Sequence, residues 1–163
     1  MKSLVIYASQ SGNTQKLAEA AQGALGDDCD LFSADQAPNP AGYDLVAAGF
    51  WLQAGRPDPK SDAFLARLKD YGGKVFLFAT HGAAAGSAHA RQAMEHAVAT
   101  VSPAKVIGTF SCQGAVNPKV LEKVRAKTPP PPWIDDAPAA VGHPDAEDLN
   151  RLQTALKASL AKS

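Results

Sequence analysis

Leu4-Val5-Ile6-Tyr7-Ala8-Ser9-Gln10-Ser11-Gly12-Asn13-Thr14 passes from an unbroken apolar stretch into a polar turn that holds no charged side chain. Beyond it, Asn13 to Leu25 repeats apolar residues at helical spacing, with Leu17, Ala21, Ala24 and Leu25 on one face and Gly26 as the stop. A strand, a hydroxyl-rich turn and a helix in this order place orphan N–H donors and the positive end of a helix dipole beside the turn. That chemistry suits a phosphate monoester. The competing reading is a plain strand-to-helix turn in which Ser and Asn act only as caps. The position behind the first strand and the density of hydroxyls favour the phosphate.

Further along the chain, Leu45 to Gly49, Val75 to Thr80 and Val106 to Ser111 repeat the unbroken apolar pattern of Leu4 to Ala8, and Asp30 to Ser33 fits a shorter strand. Apolar residues at consecutive positions indicate strands covered on both faces. Helical segments fall between them. Asp58-Pro59 opens one that carries Phe64, Leu65, Leu68 and Tyr71; Ser87 caps another with Ala90, Ala93, Met94, Ala97, Val98 and Val101. Asn117-Pro118 opens a shorter helix, and the last starts near His143-Pro144 with Asp145, Glu147 and Asp148 in its first turn. The link from Ala34 to Asp44 contains Pro38, Pro40 and Gly42 and has room for a single helical turn at most. Alternating strands and helices predict a five-stranded parallel sheet in a three-layer α/β/α sandwich, within one domain over residues 1–163.

One stretch breaks the pattern. A Pro-rich extension over about 112–143 precedes the final helix, and within it Pro129 to Pro132 followed by Trp133 predicts polyproline conformation on a surface loop rather than helix. An ordered lid or docking arm is the alternative.

Sixteen basic residues balance sixteen acidic ones, which gives no footprint for nucleic acid or a membrane surface. No stretch approaches the roughly 18 apolar residues of a membrane span, so no membrane insertion is expected. The start of the chain is too soon interrupted for a signal peptide, and Cys29 and Cys112 form no zinc or C-x-x-C spacing, so a cytoplasmic protein with reduced structural thiols is expected.

In an open α/β sheet the ligand lies beyond the carboxyl ends of the strands. Four loops leave those ends: Ser9 to Thr14, Phe50 to Pro57, His81 to Gly86 and Cys112 to Val116. The first lacks the lysine of a triphosphate loop and the glycine pattern of a dinucleotide loop, which leaves a lone monoester. Trp51 can add aromatic contact in the second, with Phe50 and Trp51 as core residues the competing reading. His81 in the third reads as a neutral hydrogen-bonding histidine ahead of a general acid. His89 and His96, seven apart, read as packed or solvated, and no base with an evident motif accompanies Cys112.

The Ser-x-Ser-Gly-x-Thr pattern behind the first strand resembles the phosphate loop of flavodoxins, FMN-binding electron carriers, and the order of strands and helices agrees over most of the chain. The resemblance implies a flavodoxin-like sheet of order 2-1-3-4-5. It also implies FMN, with its phosphate on Ser9, Gln10, Ser11, Gly12, Asn13 and Thr14. Its isoalloxazine would lie between Phe50, Trp51, Leu52 and Gly55 of the second loop and Thr80, His81, Gly82 and Ala83 of the third. Two departures stand out. The third loop lacks the tyrosine common in the family, which would leave one flavin face open, and the balanced charge implies a partner interface with little salt dependence. The Gly-Phe-Trp run, the Cys-Gln-Gly turn and the proline-containing extension resemble a divergent branch that includes the flavodoxin-like accessory subunit of bacterial bilirubin reductase. The implied function is electron transfer to a partner oxidoreductase. The alternative is an FMN-dependent reductase acting directly on a quinone, a tetrapyrrole or another small aromatic substrate. A receiver-like or other non-catalytic phospho-ligand module fits poorly, because the strand ends carry Ala8, Gly49, Thr80 and Ser111 where receivers place aspartates.

Overall fold

A computed structural model describes residues 1–163. Strands β1 (Ser3–Tyr7), β2 (Cys29–Ser33), β3 (Leu45–Gln53), β5 (Lys74–His81) and β6 (Lys105–Gln113) pair in parallel in the order β2-β1-β3-β5-β6. Counting only these five, the order is the expected 2-1-3-4-5. The sheet gains one further strand: β4 (Arg56–Pro57) pairs antiparallel with the end of β3 through Leu52–Pro57 and Gln53–Arg56. The turn between them holds Ala54 and Gly55 at positive φ, 53° and 77°, as a two-residue hairpin turn requires. The second loop is therefore a hairpin extension of the sheet.

Period-two alternation sorts the apolar runs onto two faces. Leu4, Ile6, Val46, Ala48, Phe50, Val75, Leu77 and Ala79 meet Phe64 and Leu65 of α2 (Pro59–Arg67) and Ala97 and Val101 of α3 (Ala88–Val101) on one side. Val5, Leu45, Ala47, Phe76, Phe78 and Cys112 meet Leu17, Ala18 and Ala21 of α1 (Asn13–Leu25) and Leu152 and Leu156 of α5 (Ala146–Ala161) on the other. Side-chain acceptors start the helices after α1. Asp58, Ser87 and Asn117 cap α2, α3 and α4 (Pro118–Arg125), and Asp145 and Asp148 form a reciprocal capping box at α5.

The link from Ala34 to Asp44 holds two 3₁₀ turns, Ala34–Gln36 and Pro40–Gly42, rather than one. The expected surface loop in polyproline conformation is corrected more substantially. Pro131 has polyproline angles, but Pro132–Ala140 winds into 3₁₀ helix. Ala137 and Ala140 are buried, and the Asp136 carboxylate accepts a hydrogen bond from the Ala84 N–H at 3.1 Å. Buried small side chains and a side-chain anchor hold this segment as an arm against the body of the fold. No helix is long and apolar enough to cross a membrane.

Candidate functional site

A cleft opens beyond the carboxyl ends of β1, β3 and β5, lined by Ser9, Gln10, Ser11, Asn13 and Thr14 from the first loop. Gly12 starts α1 in a left-handed conformation, φ 90°, which glycine adopts without steric cost. The turn is closed from within: the Gly12 N–H donates to Ser9 Oγ at 3.0 Å. Thr14 is buried, with its hydroxyl 3.0 Å from that of Thr80, so this contact ties the head of α1 to the end of β5. Asn13 Nδ2 donates to the Ala115 carbonyl at 2.9 Å and holds the fourth loop in place. Three polar side chains of the turn, Ser9, Asn13 and Thr14, thus serve the fold. The backbone N–H groups of Gln10, Ser11, Asn13 and Thr14 make no bond to another backbone group, and no side chain caps α1. They remain as donors at a helix head, beside a cleft whose lining contains no Asp, Glu, Lys or Arg.

Trp51 and Leu52 line the cleft from β3, while Phe50 does not. Phe50 is fully buried on the opposite face with Phe64 and Leu65, because adjacent strand residues point to opposite sides. Its expected place against a ligand is corrected, and its reading as core holds. Gly55 is also away from the cleft lining: it sits in the hairpin turn, where an added Cβ would lie 3.5 Å from the His89 ring. Gly12 likewise shapes the turn without lining the cleft. Asp58 has a second task besides capping α2. Its Oδ1 accepts from the Trp51 N–H at 3.3 Å, its own N–H donates to the Trp51 carbonyl at 2.9 Å, and its Oδ2 accepts from the Ser61 N–H. This buried carboxylate fixes the backbone that presents Trp51.

From the third loop, Thr80, His81, Gly82 and Ala83 line the cleft. His81 is buried and its Nδ1 lies 2.9 Å from the Ala83 carbonyl. Burial pushes its pKa below the ordinary value against the pull of that carbonyl, with His89 pushing the same way. The ring is therefore neutral near pH 7, with Nδ1–H as the donor and Nε2 as an acceptor. That Nε2 is buried and has no hydrogen-bond partner within the chain, which leaves a free acceptor on a residue that lines the cleft.

Trp133, carried by the Pro132–Ala140 arm, lines the same cleft and stands beside Gly82, where an added Cβ would lie 3.5 Å from Trp133 Cε3 and 2.5 Å from Val116 Cγ2. The third loop has no aromatic of its own, and the arm brings one to it. Gly114, Ala115, Val116 and Asn117 of the fourth loop, together with Val120, Ala54 and His89, complete the lining. Sequence reasoning included Ala54 and Gly114 to Val116 only as parts of the candidate loops, and it assigned none of Asn117, Val120, His89 and Trp133 to the site. A tryptophan outside every apolar stripe was the one signal available for Trp133. Cys112, by contrast, lies in the α1/α5 core, and burial, aided by the Asp148 charge, pushes its thiol up to about 12. It is a structural thiol.

Residues 4–157 match the Flavodoxin_3 family, described as the flavodoxin domain. This chain belongs to the flavodoxin family. It is 28% identical over 186 residues to the flavodoxin-like domain-containing protein BilS of Clostridium symbiosum, covering 98% of this chain and 96% of that one. The BilS protein of Clostridioides difficile is 30% identical over 133 residues, 78% of this chain and 72% of its own. Among solved structures, a Lactobacillus acidophilus flavoprotein in complex with FMN superposes with a TM-score of 0.57 at 22% identity, covering 68% of this chain and 92% of that one. The flavodoxin sheet order is the one that brings the carboxyl ends of β1, β3 and β5 together, and the cleft described above lies at that point.

Proposed function

We propose that this chain binds FMN in the cleft and passes electrons to a partner oxidoreductase. The free N–H donors of Gln10, Ser11, Asn13 and Thr14 at the head of α1, in a cleft without a charged lining residue, carry the proposal. Oriented amides neutralise a phosphate monoester without a lysine or a metal ion. The unpartnered Nε2 of His81 accepts from a ligand N–H, and Trp51 and Trp133 offer aromatic surface to a flat ring system. The Lactobacillus acidophilus flavoprotein binds FMN on a related fold. Bound FMN supplies reversible redox chemistry; this chain's residues bind it, orient it and limit its contact with water. Trp133 adds an aromatic wall to the cleft where the third loop has none of its own, which favours electron transfer to a protein over direct reduction of a quinone or tetrapyrrole inside the cleft.

Titration of the purified protein with FMN and with riboflavin tests the reading. FMN should bind with a shifted flavin absorption band, and Ser11→Asp, which sets a carboxylate against the phosphate, should weaken FMN by about 100-fold or more while leaving riboflavin little changed. Equal losses for both ligands, or a protein that takes up neither, would defeat it.

A further inference from the structure

Between β6 and α5 the chain leaves the sheet, forms α4 and returns through the Pro132–Ala140 arm. Helix α4 has no buried residue and packs chiefly against that arm. Asn117 and Val120 nevertheless line the cleft, so the helix forms part of its rim. Lys119, Lys123 and Arg125 on α4, and Lys127 just beyond it, are all exposed. None of the four takes part in any ion pair of the chain. Glu122 is the one acidic residue in this stretch, and Asp135 is exposed on the neighbouring arm. Two of the four large apolar side chains exposed on the whole molecule, Val120 and Val141, lie on this same segment.

The balanced total charge therefore does not describe this face. Four unpaired cations on a segment that also exposes Val120 and Val141 combine the charged and apolar side chains of which protein-binding surfaces are made. Single exposed charges contribute little, but a cluster sets up a field that steers an oppositely charged surface within a Debye length. We propose that the exposed face of α4 is the docking surface for an acidic patch on the electron-accepting protein, which would bring that protein to the rim of the cleft. This rests on the FMN reading above, and it gives the chain a basic recognition face where its net charge implied none. It also reverses the expectation that the partner interface depends little on salt.

The test uses the isotope-labelled, FMN-supplemented full chain, titrated with cytochrome b5 as an acidic haem protein and with cytochrome c as a basic one. Amide shifts are followed at about 20 and about 200 mM NaCl, where the Debye length falls from roughly 20 to roughly 7 Å. Cytochrome b5 should shift amides between Asn117 and Lys127 and lose affinity by about tenfold or more at the higher salt, while cytochrome c leaves these amides unmoved. The exposed double substitution Lys119→Glu and Lys123→Glu should reduce the low-salt affinity for cytochrome b5 by about tenfold without altering the melting temperature or the flavin spectrum. A footprint elsewhere, equal affinity in the charge-reversed variant, or no binding of cytochrome b5 at low salt would overturn the proposal. So would co-sedimentation of the native chain, and not the variant, with phosphatidylserine vesicles in the absence of cytochrome b5 binding, which would assign the face to a membrane. A colourless chain that still binds cytochrome b5 through α4 defeats the FMN reading alone, whereas a yellow chain with no such footprint defeats the docking surface alone.

Discussion

Trp51 and Trp133 are the two tryptophans of the chain, and both line the cleft. Saturation with FMN should therefore quench most of the indole fluorescence, and a titration that leaves it unchanged would place the flavin elsewhere. Trp133→Leu removes an aromatic face at the cleft and should weaken FMN about 2- to 10-fold, the equivalent of ~0.5–1.5 kcal/mol. Binding constants from absorption titrations check this, and an unchanged constant would show that the arm does not touch the flavin. The two residues differ in how they could be found. Trp51 follows a buried apolar run by one residue, so strand alternation and its place at a strand end mark it in the sequence. Trp133 follows a run of prolines with no periodicity, and its contact with Gly82 depends on residues some fifty positions apart meeting in space. His81 was legible as a neutral histidine, but that its Nε2 lacks a partner is a property of the packed loop.

At the scale of elements, two capping groups reach beyond their own helices. Asp58 caps α2 and holds both backbone groups of Trp51, so Asp58→Ala should cost about 1–2 kcal/mol of stability. It should also weaken FMN binding, whereas Ser87→Ala, at a cap of α3 outside the cleft lining, should leave the flavin constant nearly unchanged; urea unfolding and flavin titration on the two variants separate these effects. At α5, His143 Nδ1 lies 2.6 Å from Asp148 Oδ2, and Arg151 pairs with the other carboxylate oxygen. The hydrogen bond to Asp148 raises the His143 pKa above the ordinary 6.5. Burial pushes Asp148 up, but hydrogen bonds from His143, the Asp145 N–H and Arg151 outweigh it and hold the carboxyl below the ordinary 3.8. The histidine contribution is thus complete below 6.5 and is lost as pH rises through its elevated value in the fold. The aspartate contribution is complete above 3.8 and is lost as pH falls through its depressed value. The melting temperature should decline from pH 6 towards pH 9, and His143→Ala should flatten that slope; an unaltered slope would remove His143 as its source. The capping residues themselves were readable in the sequence, because Asp, Ser and Asn before a helical stripe satisfy local N–H groups. Their partners across the fold were not.

For the whole molecule, a ligand that binds the folded chain and not the unfolded one stabilises it by mass action. FMN at about 100 times its dissociation constant should add ~2.7 kcal/mol, which for a chain of this size raises the melting temperature by roughly 5–10 °C. Riboflavin at the same concentration should raise it less, since it lacks the group that the amides at the head of α1 would hold. Differential scanning fluorimetry checks both shifts, and equal shifts would remove the phosphate from the account. The cleft that collects these effects exists because β1 and β3 are neighbours while α1 returns the chain to β2 on the outer side. That arrangement depends on every buried strand at once.

The amino-acid sequence by itself determined the strands, the helices and their caps, and the polar turn at the head of α1, since each rests on periodicity or on a hydrogen bond within a few residues. The order of the parallel sheet came instead from the resemblance of its first loop to the flavodoxin phosphate loop, since apolar patterning predicts parallel strands without fixing which are neighbours. Only the tertiary structure decided that Phe50 faces the core, that Leu52–Pro57 extends the sheet as a hairpin, and that the proline-rich arm brings Trp133 to Gly82. It alone placed α4 at the cleft, through Asn117 and Val120. These features depend on which distant surfaces compete for burial, and neither residue spacing nor total charge carries that information.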